Sequence, residues 1–248
     1  MDIPRIFTIS ESEHRIHNPF TEEKYATLGR VLCMKPGTKI LDLGSGSGEM
    51  LCSRARDHGI TGTGIDMSSL FTAQAKRRAE EVSVSKHVHI IHNDAAGYVA
   101  NEKCDVAACA GASWIAGGFA GMVKLLAQSL KPRGTMLIDE PYWRQLPATD
   151  EIAQACGVSS RADFLTLPGL VGEFDDLGYD VLEIVLTDQE GWDRYEAAKW
   201  LTMRRWLEAN ADDNFAEEVR AELNISPKRH VTYAREYFGW GVFALLAG

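Results

Sequence analysis

The chain has 248 residues, 45% of them hydrophobic and 25% charged, enough to bury the core of one α/β domain. A formal net charge of −9 leaves no broad basic face, so neither a nucleic-acid partner nor an anionic membrane is expected. The cysteines at 33, 52, 104, 109 and 156 show neither C-x-x-C nor a metal-ligand spacing, which predicts no metal site and reduced thiols in a cytoplasmic protein.

Met1 to Ser12 carries charges and Pro4 without an apolar stretch, so no export signal is expected and residues 1–20 read as an irregular leader. Thr21 to Met34 reads as a helix with Glu22 and Glu23 favourably placed in its first turn. A strand over 38–43 then breaks into Gly44-Ser45-Gly46-Ser47-Gly48, which opens a helix over 47–58. Glycines there tolerate positive φ and let another molecule approach the backbone, while the helix start offers unpaired N–H groups. The dinucleotide fingerprint G-x-G-x-x-G asks for Gly or Ala at 49, and Glu49 stands there instead, ready to repel a pyrophosphate.

Further strands follow over 61–65, 87–92, 104–110 and 134–140, with helices over 69–82 and 118–130 between them. The second strand ends in Asp66-Met67-Ser68, where a carboxylate is placed to accept both hydroxyls of a ribose, or else to start the next helix beside Ser68. The third ends in Asn93-Asp94-Ala95, a sequence that also suits a turn. Acids at three successive strand ends (Asp42, Asp66 and Asp94) outline the crevice at the carboxyl edge of a parallel sheet. The uncharged run Val106 to Val123 contains Gly117-x-x-x-Gly121, but its glycines and the strand due there argue against a membrane helix.

This core resembles the class I S-adenosylmethionine-dependent methyltransferases, whose first motif, an acid followed by G-x-G-x-G, stands here as Asp42, Gly44, Gly46 and Gly48. The resemblance covers about residues 35–145 well, and the chain looks like uncharacterised bacterial members of that family. It implies a doubly wound, mostly parallel, seven-stranded Rossmann-like sheet with an antiparallel last strand and a helical insertion. It also implies S-adenosyl-L-methionine as cofactor. The methionine half would lie on Gly44, Ser45 and Gly46, with Ala110 alongside. The ribose would sit on Asp66 with Met67 packed on the adenine, and the adenine edge would meet Asp94 and Ala95. Asp42 and Glu49 then suit the ammonium and sulfonium charges. Arg133, in the turn Pro132-Arg133-Gly134, departs from the glycine common in the family.

Beyond the fifth strand the pattern changes. Residues 144–178 hold helical pieces punctuated by Pro147, Pro168 and Gly169, and strands are due over 180–186 and 239–246. The whole reads as a single domain: residues 1–34 a leader and helix, 35–145 the cofactor-binding core, 146–187 and 239–248 the rest of the sheet, and 188–238 an insertion. A connection as long as 188–238 is usually functional. On its first helix Trp192, Tyr195, Trp200, Met203, Trp206 and Leu207 share a face, and Glu196 and Lys199 fall inside it, as an ion pair at its edge or as charges facing a substrate. The expected role is a roof over an acceptor pocket.

The function expected is methyl transfer to a small-molecule acceptor, at N, O or C. Candidate catalytic groups are Glu140, Glu196 and His14, with Trp114, Tyr142 and Trp143 as pocket walls and His17 and Phe20 in a folding leader. Alternatives are a non-catalytic S-adenosylmethionine-binding protein and an NAD(P)-dependent oxidoreductase, the latter disfavoured by Glu49. Oligomeric state is not legible.

Overall fold

The computed structural model describes residues 3–247. In chain order the elements are α1 (Arg5–Glu11), α2 (Glu22–Val31), β1 (Lys39–Leu43), α3 (Glu49–His58), β2 (Thr61–Asp66), α4 (Ser69–Glu81), β3 (Val88–His92), β4 (Cys104–Cys109), α5 (Phe119–Ala127) and β5 (Leu130–Trp143). There follow α6 (Asp150–Ala155), α7 (Leu167–Asp176), β6 (Tyr179–Leu186), α8 (Gln189–Ala209), α9 (Ala216–Arg229), α10 (Arg235–Tyr237) and β7 (Phe238–Ala247).

The strands form one seven-stranded sheet in the order β3-β2-β1-β4-β5-β7-β6, parallel except for β7, which runs antiparallel between β5 and β6. The order reverses between β1 and β4, so the helices that follow these strands diverge to opposite faces and leave a crevice at their carboxyl ends.

Strand alternation decides what each face buries. Leu41 and Leu43, Ala107 and Cys109, and Met136 and Ile138 pack with Met122 and Leu126 of α5 and Leu170 and Phe174 of α7. Ile40, Val106, Ala108 and Leu137 point the other way, onto Leu28 of α2 and Met50 and Leu51 of α3. Asp42 and Asp139 therefore lie on the α2/α3 side, and Glu140 on the α5/α7 side.

The leader corrects the expectation of irregular chain, since Arg5–Glu11 is helical. Its Ile9 packs with Met203 and Leu207 of α8 and Val219 of α9. A seven-residue helix is marginal alone, so tertiary packing sustains it. β5 is longer than expected and takes in Pro132-Arg133-Gly134 as an irregularity where pairing with β4 jumps from Leu130 to Thr135. Arg133 has φ +60° there, which explains why glycine suits the position. Among the described residues no helix is long and apolar enough to cross a membrane.

Candidate functional site

The crevice holds a cavity of about 620 Å³, within the range of small-molecule sites. Its floor is the turn after β1. Gly44, Gly46 and Gly48 have φ of +75°, +52° and +73°, and Gly48 caps α3 without a side-chain partner for the helix's first N–H groups. The positive φ is as expected, Gly44 and Gly46 line the cavity, and all three glycines also make room for protein neighbours. A Cβ would meet Ala112 Cβ at Gly44, His17 Nδ1 at Gly46 and Ala75 Cβ at Gly48, each 2.8 Å away.

Asp66, at the end of β2, is buried, and its carboxylate receives one backbone N–H on each oxygen: Gly46 N at 2.8 Å on Oδ2 and Ser68 N at 2.8 Å on Oδ1. It thus fixes the glycine turn and the start of α4, while each oxygen keeps a lone pair for a diol. Desolvation raises its pKa, and those two N–H donors oppose the rise only in part. Met67, Asp94 and Ala95 continue the same wall. Asp94 is exposed and accepts from Ala96 N at 2.8 Å, so it forms a turn and lines the cavity at once. Gly44, Ser45, Ala110 and Trp114 complete the lining, with Trp114 55% exposed at its mouth.

Electrostatically the cavity suits a cation. Asp42 is buried with Oδ1 unpartnered, and its pKa is pushed up to about 8 by desolvation and by the neighbouring charges of Asp139 and Asp66. Ser45 Oγ is also unpartnered. The orphaned Asp42 oxygen for an ammonium, beside the Asp66 carboxylate with lone pairs left for a diol, fits the cofactor that the resemblance implies. Glu49, expected to favour that cofactor's positive charges, is instead clamped by Arg78 at 2.7 and 3.1 Å.

The leader forms the roof. Ser47 Oγ lies 3.2 Å from the His14 carbonyl, 3.1 Å from the Arg15 carbonyl and 2.8 Å from His17 Nε2. The His17 ring covers Gly46 and meets Phe71 edge-on at 4.4 Å. Burial drives its pKa down to about 4, which leaves the imidazole neutral. Further along, Asn18 Nδ2 donates to Asp139 Oδ2 at 3.1 Å, and the Pro19 carbonyl accepts from Thr187 Oγ1 at 2.7 Å.

Asp139 escaped the sequence reading, which favoured its neighbour. It is fully enclosed and bonded by Gly111 N–H, Asn18 Nδ2 and Trp240 Nε1 (3.2 Å), and desolvation still holds its pKa at about 7. The signal was alternation along β5, which places 139 on the face of Asp42.

The catalytic candidates fall in two places, neither of them in the cavity lining. Glu140 is buried with Oε1 unpartnered, its pKa raised to about 8 by desolvation against a hydrogen bond from Ser113. His14 and Glu196 lie outside the cavity lining, in a buried polar cluster between leader and α8. There Tyr195 OH donates to Glu11 Oε1 at 2.6 Å, and His14 Nδ1 stands 3.6 Å from Glu11 Oε2 with neither ring nitrogen hydrogen-bonded. Lys199 pairs with Glu196 at 2.7 Å and lies over the Tyr195 ring. Burial raises the Glu11 pKa to about 7 despite Lys199. Trp143 does not wall Glu140: three residues along a strand it faces the other way, fully buried and stacked on Phe238 at 4.5 Å. Tyr142 and Trp192 border a second cavity instead, and no residue of 188–238 lines the first. Among the described residues no cluster of three or more metal-ligating side chains occurs.

Comparison with known proteins agrees with this geometry. A family described as methyltransferase domain matches residues 40–134, the segment from β1 to the start of β5. The uncharacterised protein YjhP of Escherichia coli K12 is 87% identical over 247 residues, covering 100% of both chains. A SAM-dependent methyltransferase from Geobacter sulfurreducens, solved with S-adenosyl-L-homocysteine, is 66% identical over 100% of this chain and 99% of its own, with a TM-score of 0.98. One from Thiobacillus denitrificans, also with S-adenosyl-L-homocysteine, is 65% identical over 100% of both, with a TM-score of 0.97.

Proposed function

The chain belongs to the S-adenosylmethionine-dependent methyltransferases, and on that premise we propose that it methylates a small molecule held between the loop after β4 and the leader. S-adenosylmethionine, its cofactor, supplies a methyl group already attached to a good leaving group. What remains for the protein is alignment, desolvation and exclusion of water.

The observation that carries this reading is the roofed, acid-lined crevice. His17, Asn18 and Ile16 line it above the glycine turn, and Asp42, Asp66 and Asp94 line it below. With a chain charge of −9, a small acceptor is the best fit.

Among the chain's own groups, Asp66 would hold the ribose, Asp42 the positive end of the methionine moiety, and Met67, Asp94 and Ala95 the adenine. Glu140 is the favoured acid/base group: its unpartnered oxygen and raised pKa suit a carboxyl that receives a proton from an acceptor or orients a cationic amine. Glu196 and His14 are assigned a supporting role beside the Tyr195–Glu11 hydrogen bond that joins α8 to the leader. The test is mass spectrometry of the ligand that co-purifies, followed by incubation of the full chain with labelled S-adenosylmethionine and fractionated metabolites. Transfer of label to a low-mass fraction is expected; transfer only to macromolecules would sink the small-molecule assignment.

A further inference from the structure

A second cavity, of about 420 Å³, opens between the ends of β5 and β7 and the first turns of α8. Its apolar walls are Tyr142, Trp192 and Phe238, with the Trp192 and Phe238 rings parallel at 6.2 Å. Charge on its rim is unbalanced. Asp188, its sole acid, is committed to Lys24 at 2.8 Å and to Gly191 N at 2.7 Å. Arg235 is fixed by Asp193, whose two oxygens each lie 3.0 Å from its Nε. Arg144 has no carboxylate partner among the described residues; its side chain donates from Nη1 to the Arg235 carbonyl at 3.3 Å. In a chain of net charge −9 this cavity presents an uncommitted guanidinium beside a flat aromatic wall.

The cavity also neighbours the cofactor crevice. Trp240 donates to Asp139, stands 3.4 Å from the place of a Cβ on Gly111, and meets Trp192 edge-on at 6.1 Å. Gly111 lines the first cavity and Trp192 the second, so one tryptophan separates them. Just before Arg235, residues His230–Ala234 form a widened π-type turn, a distortion that recurs at functional sites.

We infer that this cavity seats the distal end of the methyl acceptor, an acidic group, carboxylate or phosphate, on a flat and largely apolar body. Arg144 binds the acid, in the forked geometry guanidinium offers to both oxyanions, and Trp192 and Phe238 take the body. The inference rests on the methyltransferase reading above and narrows its acceptor to an acidic one.

The test uses the full chain saturated with S-adenosylhomocysteine and four probes of similar shape: benzoate, phenyl phosphate, benzylamine and benzyl alcohol. Saturation-transfer NMR should show binding of one or both anions and little of the others; the anion that binds tells carboxylate from phosphate. Arg144→Gln should weaken anion binding tenfold or more at unchanged S-adenosylhomocysteine affinity, and in the unmutated protein the Trp192 indole N–H resonance should move with the anion. Equal binding of the cationic or neutral probe, no binding of either anion, an unmoved Trp192 signal, or a folded Arg144→Gln chain that binds anions normally would overturn the inference. Failure of S-adenosylhomocysteine itself to bind would instead count against the cofactor reading.

Discussion

At the scale of single residues, Asp66 and Glu140 carry opposite kinds of information. Asp66 holds two backbone N–H groups and still faces the cavity, so its loss removes both the turn's anchor and a ligand acceptor. Asp66→Ala should weaken S-adenosylmethionine binding about ten- to a hundredfold, equivalent to roughly 1.4 to 2.8 kcal/mol; titration calorimetry would read it, and unchanged affinity would remove Asp66 from the site. Glu140 binds no neighbour through Oε1, so its removal leaves the fold's hydrogen bonds almost untouched. Glu140→Gln should keep cofactor affinity within a few-fold, yet lower kcat/KM for an identified acceptor by on the order of a hundredfold. Normal turnover in that variant would reduce the site to alignment alone. Asp139 shows why a residue adjacent to the favoured one was overlooked: in sequence it is another acid at a strand end. Its three donors come from the leader, the β4 loop and β7, which only the folded sheet brings together.

At the scale of elements, the leader ties the parts of the site together. It is bonded to the glycine turn through Ser47, to α4 through Gln74 and the Ser12 carbonyl at 2.7 Å, to β5 through Asn18 and Asp139, and to the start of α8 through Pro19 and Thr187. These bonds oppose departure of a ligand that leaves past the leader. Asn18→Ala should therefore raise the cofactor dissociation rate about tenfold, the equivalent of one hydrogen bond to a charged group. Stopped-flow displacement checks this, and an unaltered rate would mean that ligand exchange takes another route. The leader is also where sequence reading stopped short. The strands of the parallel core were legible because apolar runs end in acids and glycines at regular intervals, a signal contained in each segment alone. Helix α1 has no such signal: Pro4 starts it, no side chain caps it, and Ile9 is buried only because α8 and α9 stand opposite. On α8 the apolar face was readable, and Met203 and Leu207 are buried on it. What that face covers was not, because it packs on the leader rather than on the first cavity.

At the scale of the whole molecule, the buried acids tie the ligand to protons. Asp42 and Glu140 have pKa values near 8, and Asp139 and Glu11 near 7, all raised chiefly by desolvation. A carboxyl whose folded pKa is raised binds its proton more tightly in the folded chain. Its stabilising contribution is complete below the unfolded pKa of about 4 and is lost as pH rises through the folded value. The ligand-free protein should thus melt at progressively lower temperature between about pH 5 and pH 8. A cation entering the crevice reverses the balance, because it favours the ionised form of Asp42 and pushes the pKa down. Binding of S-adenosylmethionine at pH 7 should then release about one proton, and affinity should rise with pH up to about 8. S-adenosylhomocysteine keeps the ammonium but has no sulfonium charge, so it should release less. Calorimetry of both ligands in two buffers of different ionisation enthalpy measures the release directly, and Asp42→Asn should abolish most of it while the fold persists. Equal heats in both buffers for the unmutated chain would show that Asp42 is already ionised before the ligand arrives.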